Sequence, residues 1–155
     1  MGLPSFSWAL PLPRAVDRSA VATESPVAAA LGRCRPLFHR SVLVVAQARA
    51  GGWEALRLAR ERGACVTALC PPELATAAKS AGADAVLDPA RTDPTWYRGA
   101  WSVIVDPPGR IGFRRAMASL APDGVYVTSS VRPSDRAFSL LARLSGGPRL
   151  LRLRE

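Results

Sequence analysis

The residue types best placed for chemistry lie in one stretch, residues 41–64, which reads SVLVVAQARAGGWEALRLARERGA. An unbroken apolar run over 42–45 is followed by a small-residue loop, then by a helical pattern with Leu56, Ala59 and Gly63 on one side. Strand, tight loop and helix in that order put a helix N-terminus, with free N–H groups and the positive dipole end, at the carboxyl edge of a parallel sheet. Phosphate groups bind at such a point. Other chemistries lack their residues. His39 is the only histidine, and Cys34, Cys65 and Cys70 include no C-x-x-C pair, so neither a Cys/His zinc cluster nor a Ser-His-Asp triad is expected, and no metal is expected. The three cysteines, two of them in or beside an apolar strand, read as small core residues of a reducing compartment.

The elements that must position this loop follow from length and pattern. A chain of 155 residues suits one domain with a real core. Its 48% hydrophobic and 21% charged residues predict a folded chain, and fourteen prolines with twelve glycines predict much turn and loop. Residues 1–40, with five prolines and five arginines, read as an irregular lead-in with one short helix at 26–31, PVAAAL. From residue 41 to 155, short β-branched runs alternate with alanine-rich helical runs. That is the signature of an α/β domain with a mostly parallel sheet of about five to six strands flanked by helices. After the first strand, strands are expected at 65–69, 84–87, 101–105 and 125–128, with an edge-like strand at 150–153. Helices are expected at 73–81, 111–120 and 134–144, with a brief one from 93 to 99 and a turn at 122–124.

The net charge of +9 comes from arginine, Lys79 being the only lysine, and no block of consecutive basic residues occurs, so nucleic acid is not the expected partner. Over 132–155 six arginines face two acids, which reads either as an anion contact or as an exposed end. No run approaches the roughly 20 apolar residues needed to span a bilayer. The first twelve residues are broken by prolines and lack a basic leader, which argues against a secretory signal and for a cytoplasmic protein. Arg14, Arg18, Arg33 and Arg35 leave a mitochondrial presequence as the alternative.

The series VLVVAQARAGGWEALRLARERGA, VTALCPPE, AAKSAGADAVLD, SVIVDPPG and LAPDGVYV resembles the cofactor-binding domain of the medium-chain dehydrogenase/reductase superfamily. Within it, the zinc-independent quinone oxidoreductases and reticulon-interacting reductases are the nearest branch. The resemblance covers roughly residues 20–153 and is most specific over 79–88. It implies a Rossmann-like fold and a dinucleotide cofactor, NADPH rather than NADH, because no acid ends the second strand to take a ribose 2′-OH. Lys79 is then a 2′-phosphate partner, or else a solvated helix residue. On the family's G/A-x-x-G-G-V-G loop, Ala46 takes the first position and Gly52 the last, with Arg49 and Ala50 in place of the paired glycines and Gly51 between. Arg49 either pairs with the pyrophosphate through its guanidinium or marks a site that has decayed. Asp106 and Gly109 match the D-x-x-G loop beside the nicotinamide, the bland alternatives being a helix cap and a turn glycine. Thr128 falls where another loop passes the nicotinamide, and is equally an ordinary turn hydroxyl.

Members of the superfamily carry an N-terminal β-rich substrate domain, whereas at most a forty-residue stub precedes the Rossmann-like half here. Catalysis is therefore expected to be weak or lost, and no catalytic residue is assigned. Two other function classes compete with this reading. One is a non-enzymatic, degenerate Rossmann-like interaction protein. The other is an S-adenosylmethionine-dependent nucleic-acid methyltransferase, since SVIVDPPG followed by LAPDGVYVTSS is similar to the D-P-P-x loop and next strand of those enzymes. A homodimer paired through the last strand suits the reductase resemblance, although Arg152 and Arg154 oppose edge pairing.

Overall fold

The computed structural model describes residues 25–47 and 50–153; the lead-in up to residue 24, Arg49 and Arg154 lie outside the described residues. In chain order the elements are α1 (Pro26–Gly32), β1 (Ser41–Val45), α2 (Ala50–Glu61), β2 (Cys65–Leu69), α3 (Ala75–Ser80), β3 (Ala85–Leu87), β4 (Trp101–Val105), α4 (Phe113–Ala116), β5 (Leu120–Thr128), α5 (Pro133–Leu144) and β6 (Arg149–Arg152). The six strands form one sheet in the order β3-β2-β1-β4-β5-β6, and every neighbouring pair is parallel. This is the doubly wound, Rossmann-like arrangement that the sequence pattern implies.

Strand periodicity divides the core in two. Val42 and Val44 of β1 share one face with Val103, Val105, Val125 and Val127, and the helices α1 and α2 cover that face with Val27, Leu31, Ala55, Leu56 and Ala59. Leu43, Val45, Ile104 and Tyr126 point the other way, against Phe113 and Ala116 of α4 and Ala142 of α5. Central parallel strands are apolar on both sides because both faces are covered, which is why residues 42–45 of β1 and 103–105 of β4 read as continuous hydrophobic runs. Burying a side chain the size of Leu43, Leu56 or Phe113 contributes about 1.5–3 kcal/mol each, and all three are fully buried. The first helix begins where Ser25 Oγ accepts from Ala28 N at 3.1 Å, with proline in its first turn. Its buried Val27, Ala30 and Leu31 place α1 in the same core as α2.

Several boundaries move for identifiable reasons. The expected turn at 122–124 lies inside the span of β5: Leu120 pairs with Trp101, the next pair is Val103↔Val125, and the residues between bulge out of the ladder. Helix α4 covers only part of 111–120: Gly112 sits at φ 80, and the Ile111 N–H is taken by a side chain from the preceding loop. The helix expected over 73–81 is a 3₁₀ turn at Pro72–Leu74 that runs into α3, and the brief helix after 93 is a 3₁₀ turn at Pro94–Trp96 capped by Asp93 Oδ1 on Thr95 N at 2.9 Å. Among the cysteines, Cys70 is buried and Cys34 half-buried, but Cys65 opens β2 exposed to solvent rather than in the core. The last strand begins one residue earlier than expected and lies at the sheet edge.

Candidate cofactor site

The chain turns left of β1 through β2 and β3, and right of β1 through β4, β5 and β6, so β1 and β4 flank the switch point of the sheet. In open α/β sheets the crevice beyond the carboxyl ends of such strands receives ligands. Three loops meet there: the one after Val45, the one after Val105 and the one after Thr128.

The first loop is tight because α2 lies almost on β1. A Cβ added at Gly52 would stand 2.9 Å from the Val45 carbonyl oxygen and 3.1 Å from Ala46 Cα, so only glycine permits this approach. Ala46 is buried, with its N–H donating to the Leu69 carbonyl at 3.0 Å. Gly51 is half-buried and faces Pro107, where a Cβ would find ordinary contact at 3.7 Å. Helix α2 begins at Ala50, so its first-turn N–H groups, which have no intrahelical acceptor, are delivered to the crevice. The absent Cβ of Gly52 thus lets α2 close onto the end of β1, which sets the helix N-terminus at the switch point.

The second loop is held by Asp106. Its carboxylate is fully buried and accepts from Arg110 N at 3.0 Å, Ile111 N at 2.7 Å and the Tyr126 hydroxyl at 2.6 Å. The Tyr126 oxygen in turn accepts from Gly112 N at 3.0 Å. Burial, and then the neighbouring Asp106 carboxylate, raise the Tyr126 hydroxyl above its ordinary pKa, so it remains a proton donor. Gly109 has φ +70, and a Cβ there would meet Ser130 Cβ at 3.0 Å. In the third loop, buried Thr128 closes a local turn: its Oγ1 accepts from Ser130 N at 3.1 Å. Ser129 Oγ donates to the Pro107 carbonyl and so ties the third loop to the second.

Between these loops and α1 lies a pocket of about 240 Å³, walled by Val27, Gly51, Glu54, Pro107, Ser129 and Leu153 among others. Of the residues singled out in the sequence, Gly51 lines it, while Ala46, Gly52, Asp106, Gly109 and Thr128 form the framework immediately behind. Lys79 is not brought there: it is exposed in the last turn of α3, the end that leads to the start of β3. At the carboxyl end of β2 stand acids instead. Burial, and then the charges of Asp88 and Glu73, raise the Cys70 thiol pKa. The site also contains a pair that sequence reasoning missed. With its amide oxygen turned toward Arg110, Gln47 accepts from Nε and Nη1 at 2.9 Å, bridging the first and second loops. Nothing in the local spacing signals this contact, because the two residues meet only across the switch point.

No protein-family model matches the sequence, and no curated protein matches it. Solved structures do. A quinone oxidoreductase from Coxiella burnetii superposes with a TM-score of 0.68 at 18% identity, over 83% of this chain and 41% of that one. A mycobacterial protein determined in complex with NADPH gives 0.64 at 26% identity, over 86% and 44%. A cobalt- and zinc-bound thermostable alcohol dehydrogenase from Pyrobaculum aerophilum gives 0.64 at 26%, over 82% and 37%. The chain thus spans well under half the length of each of these structures. The sheet order, the Gly52 contact and these superpositions together identify the chain as similar to the cofactor-binding portion of the medium-chain dehydrogenase/reductases, the quinone oxidoreductases among them.

Proposed function

We propose that the chain is a nicotinamide-dinucleotide-binding domain of quinone oxidoreductase type, with the pyrophosphate at the α2 N-terminus and the nicotinamide end toward Pro107 and Ser129. The observation that carries this reading is the approach of Gly52 to the Val45 carbonyl, 2.9 Å for an added Cβ, which seats the N-terminus of α2 directly at the end of β1 at the switch point. The bound dinucleotide would supply the hydride chemistry. The residues described here would bind and orient it: α2 through its N–H groups, Arg110 as a guanidinium held by Gln47, and Asp106 by fixing the second loop. For the 155-residue chain itself, turnover of a quinone is expected to be weak or absent, because it spans under half the length of the quinone oxidoreductase structures it resembles.

NADPH is the form to test first, since a similar mycobacterial structure holds it. The acids Glu73 and Asp88 near the end of β2 oppose a 2′-phosphate, which makes NADH the competitor. Titration of NADPH, NADH and S-adenosylmethionine into the full chain, followed by tryptophan fluorescence, separates the readings. Saturable binding of a nicotinamide dinucleotide is expected. No response to either at millimolar concentration would defeat the proposal, and a response to S-adenosylmethionine alone would move the assignment to the methyltransferase class. An Arg49→Gly variant in the same titration tests the loop: tighter binding marks the side chain as an obstacle, weaker binding as a ligand.

A further inference from the structure

At the amino edge of the sheet, away from the crevice, a cavity of about 520 Å³ opens between the segment after α1, the start of β5 and the α5–β6 connection. Arg33, Arg35, Arg143 and Arg149 line it, with one carboxylate, Asp123. That carboxylate is already engaged, by Arg40 at 2.7 Å and by Arg35 at 3.4 Å. Among the described residues, no acid lies within ion-pair distance of Arg33, Arg143 or Arg149. A neighbouring hollow of about 530 Å³ shares Cys34 and Arg35 and reaches Arg62, whose Nη1 is buried without a hydrogen-bond partner.

These arginines come from separate parts of the chain, so the cluster is not a local run of charge. Exposed guanidinium groups from three segments around one concavity raise its positive potential, which draws anions to it. Guanidinium groups match phosphate oxygens in bidentate geometry, and several guanidinium groups facing one space call for more than one phosphate. A cavity of this size suits a small molecule, whereas single-stranded nucleic acid is followed along an extended groove with stacking platforms. We propose that this amino-edge cavity binds a small ligand bearing two or more phosphate groups, on Arg33, Arg143 and Arg149, at a site separate from the dinucleotide crevice.

Tripolyphosphate titrated into the ¹⁵N-labelled full chain tests this. Saturable shifts are expected at the amides of Cys34, Gly146 and Gly147, with Gly51 and Gly52 unmoved. Orthophosphate should bind at least about tenfold more weakly, and so should tripolyphosphate to the Arg143→Gln/Arg149→Gln variant. ATP as a second probe tells a nucleotide from free polyphosphate, and tight binding of either supports the site. Both substituted side chains are exposed, so the melting temperature without ligand should hold; Arg33→Gln serves as an independent variant if the pair does not fold. The proposal fails if orthophosphate binds equally well, if shifts centre on Gly51 and Gly52, or if the variants bind like the parent. It also fails if single-stranded RNA binds more tightly with length and tripolyphosphate cannot displace it. Because these readouts lie at the opposite edge from the crevice, they stand whether or not a dinucleotide binds.

Discussion

At the carboxyl edge of the sheet the loops are fixed by backbone groups and a buried carboxylate, and at the amino edge the one carboxylate of the cavity is held by solvent-accessible ion pairs. Asp106 is fully buried and accepts from two backbone N–H groups and a tyrosine, whereas Asp123 is held by two arginine side chains and its own side chain is 35% exposed. The first kind of site is preorganised, and breaking one group leaves buried donors without partners. The second kind is adaptable, since water replaces a lost partner at little cost. A dinucleotide crevice needs the first property because the backbone must meet a fixed ligand shape. An arginine-lined cavity works with the second because long side chains move to the charge.

Substitutions at the two edges should therefore differ in cost. The largest effect is expected for Asp106→Ala, which strands the Ile111 N–H and the Tyr126 hydroxyl in the core. A loss of about 3–4 kcal/mol, read by urea unfolding, follows from unpaired buried donors. A cost below 1 kcal/mol would show that the loop is not held by this carboxylate. Next comes Gly52→Ala, where backbone must yield to the new Cβ. Here about 1–3 kcal/mol is expected, along with weakened dinucleotide binding, and unchanged stability would remove the close-packing argument for the cradle.

The smallest effect belongs to Asp123→Asn. Hydrogen bonding from Arg40 holds the Asp123 carboxyl below the usual carboxylate range. A lowered folded-state pKa adds stability above the unfolded-state value, near 3.9, and that stability is lost as the pH falls through the folded-state value. Stability at pH 7 should thus change by less than about 1 kcal/mol, with a slightly flatter acid limb in the variant. Tripolyphosphate should bind a few-fold more tightly once the competing carboxylate is gone. A large destabilisation at Asp123 would erase the contrast between the two edges.

Much of the fold was legible because both periodicities are strong in this chain. The short apolar runs at 42–45 and 103–105 read as strands covered on both faces, and the intervening helical patterns imply parallel crossovers. What local turn chemistry could not show is that Leu120, ahead of Pro122-Asp123-Gly124, already pairs with Trp101, so that the turn stands as a bulge within β5 and not between helix and strand. At the candidate site, Ala46, Gly51 and Gly52 were legible through the resemblance of their loop to the family pattern, and the structure places them where β1 turns into α2. Lys79 could not be placed in this way, because its position depends on the direction in which α3 runs, and it stands exposed in the last turn of that helix, which leads to the start of β3.

The sequence by itself determined the α/β class, the order of strand and helix, and the loop that opens a helix at the end of β1, all of which depend on residues close together in the chain. Only the tertiary structure decided that Asp106 is saturated by its own loop and Tyr126, that Gln47 holds Arg110 across the switch point, and that arginines from distant segments share one cavity. Periodicity reports which face a residue takes on its own element. Sheet order and register decide which other residues it meets there.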